Sequence, residues 1–123
     1  MKITTFNPLI VTAKAEEAIK LFEDLGFEKR RAPSVDIGTG AVTTTRMKNA
    51  DGFYVDITDI KEMPQDKTLI RMNVDNFDEA YDLLTKHGFT SKREKPIETD
   101  SNRSIGMTAP SGFTFDLCQH IKE

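Results

Sequence analysis

Gly112-Phe113-Thr114-Phe115-Asp116-Leu117 decides the reading of this chain, because it has an earlier counterpart in Gly52-Phe53-Tyr54-Val55-Asp56-Ile57. Glycine, phenylalanine and aspartate recur at one constant offset (112 − 52 = 60). Phe53, Val55 and Ile57 alternate with Tyr54, Asp56 and Thr58, and Phe113, Phe115 and Leu117 alternate with Thr114, Asp116 and Cys118. Period-two alternation behind a glycine turn is the pattern of a strand with one face on a core. The aspartate falls on the other face, in mid-strand, where a carboxylate needs a partner or water. Two equivalent strands with equivalent acids indicate a duplicated module around a shared cleft.

Working outward, the repeat extends through most of the chain. An offset of 62 aligns Glu17 with Glu79, Ala18 with Ala80, Leu21 with Leu83, Gly26 with Gly88, Phe27 with Phe89 and Arg31 with Arg93. Past the intervening loop the offset becomes 60 and Met47 aligns with Met107. A loop absorbs such a change of two residues without disturbing the elements it joins. Each module reads as strand, helix, strand, strand, strand. In the first, these are a strand over 3–11, with Pro8 suggesting an edge or bulge, a helix over 15–25 with Thr12 as a possible cap, and strands over 27–31, 42–48 and 53–58. Residues 32–40, with Pro33, Gly38 and Gly40, read as a loop, and Asn49-Ala50-Asp51-Gly52 as a hairpin turn. In the second module, strands are expected over 68–74, 89–93, 104–108 and 113–118, with a helix over 78–87 capped by Asp75 or Asn76.

The chain has 123 residues, enough for one domain with a real core. Its formal net charge of −3 and the lack of a basic stripe argue against nucleic acid as a partner. No apolar run approaches a membrane span, and the first residues lack the pattern of a signal peptide. The single cysteine, Cys118, cannot form an internal disulfide, which makes a cytoplasmic location the expectation.

With its repeat, its Leu25-Gly26-Phe27 helix stop, its Asn73-Val74-Asp75-Asn76 helix entry and its closing Pro110-Ser111-Gly112-Phe113-Thr114-Phe115-Asp116-Leu117, the chain resembles the vicinal oxygen chelate superfamily. That group includes glyoxalase I, bleomycin-resistance proteins, fosfomycin-modifying enzymes and extradiol dioxygenases. The resemblance implies an α+β fold: two βαβββ modules (about 1–60 and 67–123) forming a curved eight-stranded cup with helices outside, within a homodimer. In the family's metal enzymes, ligands come from the first and last strands of each module. Carried over by position, these places hold Asn7, Asp56, Leu69 and Asp116. Leu69 cannot ligate, Asn7 is a weak donor, and neither His87 nor His120 falls nearby. The resemblance therefore implies a cup without the family's usual metal site and without a cofactor.

Asp56 and Asp116 admit three readings: remnants of a metal site, recognition groups for a cationic ligand, or halves of structural ion pairs. Arg71 and Asn73 alternate with Ile70, Met72 and Val74 and face the same cleft, so Arg71 can pair with one aspartate. Tyr54, with Leu9, offers stacking or apolar surface. Cys118 shares the Asp116 face and reads as a buried, inert thiol, since no histidine stands by to activate it. The functional expectation is a small-molecule-binding protein that sequesters a ligand, with a preference for cations, in a dimer cleft through Asp56, Asp116, Arg71, Asn7, Tyr54 and Asn73. The alternative is a divalent-metal-dependent lyase, isomerase or transferase with an altered site.

Overall fold

The computed structural model of the chain describes residues 1–31, 34–36, 41–99 and 102–120. The elements run β1 (Ile3–Thr12), α1 (Ala15–Asp24), β2 (Glu28–Arg31), β3 (Ser34–Asp36), β4 (Ala41–Lys48), β5 (Tyr54–Asp59), β6 (Lys67–Val74), α2 (Phe77–Lys86), β7 (Ile97–Glu98), β8 (Asn102–Thr108) and β9 (Thr114–His120). This is an α+β arrangement. It divides into two compact units, residues 7–68 and residues 1–6 with 69–123.

In the unit of residues 7–68 the strands lie in the order β2, β4, β5, β1, with β3 also on β4. β4 and β5 form the hairpin expected from the Asn49–Gly52 turn, antiparallel from Lys48↔Tyr54 to Thr43↔Asp59. The Asn49 side chain fixes that turn by accepting from the backbone N–H groups of Asp51 and Phe53. β1 then runs parallel to β5 from Leu9↔Asp56 to Thr12↔Asp59. Met47, Val55 and Ile57 are buried against Ala15, with Ala18, Ile19 and Phe22 of α1 packed on them. The helix therefore covers the odd-numbered face, and Arg46, Tyr54, Asp56 and Thr58 line the opposite one.

The second unit repeats this plan. Here β6 runs parallel to β9 from Ile70↔Phe115 to Asn73↔Cys118, and β8 is antiparallel to β9. Met72, Val74, Ile105, Met107 and Leu117 form a core with Phe77 and Ala80 of α2. The start of β1 belongs here, since Lys2 and Asp75 exchange bonds: each backbone N–H donates to the other residue, to the Asp75 carboxylate and to the Lys2 carbonyl. The registers are the repeat written in space. Leu9↔Asp56 and Arg71↔Asp116 are equivalent positions, as are Arg46↔Asp56 and Gly106↔Asp116.

Several local expectations differ from the structure. Thr12 does not cap α1; its hydroxyl accepts from the Lys14 N–H in a local turn, and Lys14 is the N-cap, without a side-chain cap bond. Asn76 does cap α2, accepting from the Glu79 N–H. Ser34–Asp36 is a strand rather than loop, paired with β4, while Pro33, Gly38 and Gly40 lie outside the described residues. The strand expected over 89–93 contracts to one bridge, Thr90↔Thr108. Lys92-Arg93-Glu94-Lys95 supplies no apolar face to hold a longer ladder on the core. The polar segment after it forms the short β7 instead, which pairs with β8.

Candidate functional site

On the face of the first unit turned away from α1, Asp56 stands in mid-strand on β5 with no exposed surface. Burying a carboxylate requires compensating donors. Asn7 of β1 donates from Nδ2 to Asp56 Oδ2 at 2.9 Å, and Arg46 of β4 approaches the same oxygen through Nη1 at 3.3 Å. The other Asn7 amide hydrogen goes to the Pro8 carbonyl, which leaves Asn7 Oδ1 buried with no hydrogen-bond partner among the described residues. Arg46 is held from a second side as well, its guanidinium carbon lying 4.2 Å from the centre of the Tyr54 ring. The Lys48 ammonium stands 5.2 Å from the centre of the same ring. Below this row the hydroxyls of Thr44 and Thr58 share a hydrogen bond at 2.8 Å.

The other unit solves the same problem from the other side. Asp116 of β9 is paired with Arg71 of β6, Nε to Oδ2 at 3.7 Å, with both side chains about four-fifths buried. Asn73, two residues further along that face, donates to the Thr5 hydroxyl at 2.7 Å and lies opposite Cys118 in register. Cys118 is fully buried, and its thiol donates to the Asp116 carbonyl at 3.6 Å. Burial, and after it the charge of Asp116, pushes the thiol far above its ordinary range, with Arg71 opposing. Such a thiol is not a nucleophile at neutral pH. His87 closes α2 as its C-cap, and His120 ends β9; both are exposed.

The structure thus brings Asn7 to Asp56, with Tyr54 joined to them through Arg46, and brings Arg71 to Asp116. Sequence reasoning missed Arg46. The signal was present in the hairpin register: if Lys48 faces Tyr54 across the turn, Arg46 faces Asp56 two residues on. It also missed the asymmetry of the repeat. Each aspartate has two flanking positions, and each module fills one with arginine, on opposite sides: Arg46 beside Asp56 where the second module has Gly106, and Arg71 beside Asp116 where the first has Leu9.

The four positions that correspond to metal ligands do not fit a metal ion. Leu69 offers no donor, and a guanidinium already stands against each carboxylate, so an incoming divalent cation meets a fixed positive charge at both. Among the described residues, no three histidine, cysteine, aspartate or glutamate side chains group closely enough to hold a metal ion.

The order of strands and helices in the two modules is that of the vicinal oxygen chelate fold, and comparison with solved structures shows the chain to have it. Methylmalonyl-CoA epimerase from Mycobacterium tuberculosis superposes with a TM-score of 0.76 at 12% identity, covering 98% of this chain and 90% of that one. A selenomethionine methylmalonyl-CoA epimerase gives 0.71 at 17% identity, with 94% of each chain covered. Glyoxalase I from Zea mays gives 0.67 at 12% identity over 98% of this chain and 44% of its own. At these identities the likeness is one of fold. No protein-family model matches the sequence, and the search of curated proteins found no match.

Proposed function

We propose that this chain is a small-molecule-binding protein of the vicinal oxygen chelate type that works without the metal its fold family commonly carries, holding a ligand rather than transforming it. The observation that carries this reading is the pairing of both mid-strand aspartates with arginine, Arg46 with Asp56 and Arg71 with Asp116. A metal-dependent lyase, isomerase or transferase needs those carboxylates for the ion, and releasing them means leaving two guanidiniums without their counter-charges. The expectation of a cationic ligand loses its basis for the same reason, since neither aspartate offers an uncompensated negative charge. Asn7 Oδ1, a buried acceptor, is the kind of group that an internal water satisfies.

Homodimer formation belongs to this reading. The exposed Leu21, Leu25 and Phe53 of one unit and Leu83 and Phe113 of the other supply apolar surface for it. Among the described residues no helix is long and apolar enough to cross a membrane. The reading places the chain in the cytoplasm, as its single cysteine suggests. A ligand-observed NMR screen of small polar and aromatic molecules, run with and without chelator, tests it. Hits that persist in chelator support the reading, whereas binding or turnover that appears only with a divalent ion overturns it.

A further inference from the structure

Asp56 and Asn7 are too deeply buried to touch a ligand, at 0% and 5% exposure, whereas Arg46, Lys48 and Tyr54 on the same face all keep surface in solvent. This reverses the roles that the sequence suggested for them. The carboxylate orients, and the cations it leaves facing outward recognise. Arg46 is fixed by an ion pair through Nη1 and by the Tyr54 ring beneath it, so its remaining N–H donors are held in place before any ligand arrives. Lys48 follows two residues later on the same face, beside the same ring. Arg46 is balanced by Asp56, and Lys48 stands opposite Glu28 in register, so the row gathers two cations in a chain whose formal net charge is −3 without a net local charge. A planar guanidinium fork with an ammonium beside it matches the oxygens of a carboxylate or phosphate.

We propose that the Arg46–Lys48–Tyr54 row is an oxyanion-recognition subsite, which takes the carboxylate or phosphate end of a small organic ligand. Asp56 and Asn7 serve it as positioning residues that hold the Arg46 fork. Glu28, opposite Lys48 in the neighbouring strand and exposed, is the adjacent acid that weakens the field. The inference rests on the small-molecule-binding reading and adds the charge of the ligand to it.

The test uses the full chain with three probes of similar size: benzoate, phenyl phosphate and benzylammonium. Binding is read from backbone amide NMR shifts and from tyrosine emission, which no tryptophan obscures. Benzoate or phenyl phosphate is expected to shift the resonances of β4 and β5, with affinity falling as salt is raised, and the stronger of the two identifies the oxyanion. Lys48→Met, at a partly exposed position, is expected to melt like the parent and to weaken that binding about fivefold, the size of one solvent-facing charge contact. Glu28→Gln is expected to strengthen it. Preferential binding of benzylammonium, or anion binding that Lys48→Met leaves unchanged, overturns the inference while leaving the small-molecule reading in place. No binding of any probe to this face overturns the inference, and the small-molecule reading is then decided by the ligand screen.

Discussion

Replacing Arg46 by methionine keeps much of its aliphatic contact and removes its charge, leaving Asp56 fully buried with Asn7 still donating to it at 2.9 Å. Breaking a buried ion pair from one side costs about 3–5 kcal/mol, because the surviving charge has lost compensation. Here the lower end applies, since the Arg46 side chain is 14% exposed and the Asn7 hydrogen bond survives, so the expected loss is about 3 kcal/mol. At about 3–5 °C per kcal/mol for a domain of this size, the melting temperature falls by roughly 10 °C. Urea unfolding followed by circular dichroism measures the loss directly. The second half of the experiment is Asp56→Asn in the Arg46→Met background, which removes the stranded charge and should recover about 2 kcal/mol. The exposed Arg103–Asp78 bridge serves as a control, and breaking it should change stability by less than about 1 kcal/mol. If Arg46→Met costs no more than that control, or if the two substitutions are additive, then Arg46 does not compensate Asp56 and the reasoning fails.

Three further outcomes are expected. Gly88 has a φ of +89°, and a Cβ there meets Pro110 Cγ at 2.9 Å, while Gly26, at +101°, has open space around it. Both Gly→Ala variants should lose about 1 kcal/mol to the left-handed backbone, and Gly88→Ala clearly more than Gly26→Ala in parallel denaturant melts. Asn76→Ala should lower stability by about 1 kcal/mol, the worth of an N-cap, with no change in the slope of the denaturant transition. The Cys118 thiol titrates higher in the folded chain than in the unfolded one, so its contribution is intact below about pH 9 and declines as pH rises beyond it. Relative to Cys118→Ala, the parent should therefore lose about 1.4 kcal/mol per pH unit above that point; equal slopes for the two proteins would contradict the assigned cause.

How much of this was legible in the sequence follows from where the repeat is strong. Glycine, phenylalanine and aspartate at a fixed offset located both closing strands, and the observed registers around Asp56 and Asp116 are equivalent residue for residue. Even the shrunken strand obeys the repeat: Thr90↔Thr108 stands where the first module has Glu28↔Lys48. The site was only half legible, because its controlling feature breaks the repeat. Alternation assigns each side chain a face but does not say which strand lies alongside, so Arg71 could be placed on the same face as the aspartates while Arg46, in a strand that reads as a run of threonines, was passed over. β3 was hidden because its three residues have no period of their own and form a strand only by pairing with β4.

The central claim, that arginine has taken the place of metal beside both mid-strand aspartates, is tested most directly by thermal melts of the chelator-treated chain with manganese, zinc, nickel, magnesium or calcium added in turn. The account predicts that none of these ions raises the melting temperature. A rise with one ion at near-stoichiometric concentration, abolished by Asp56→Asn or Asp116→Asn, would contradict it.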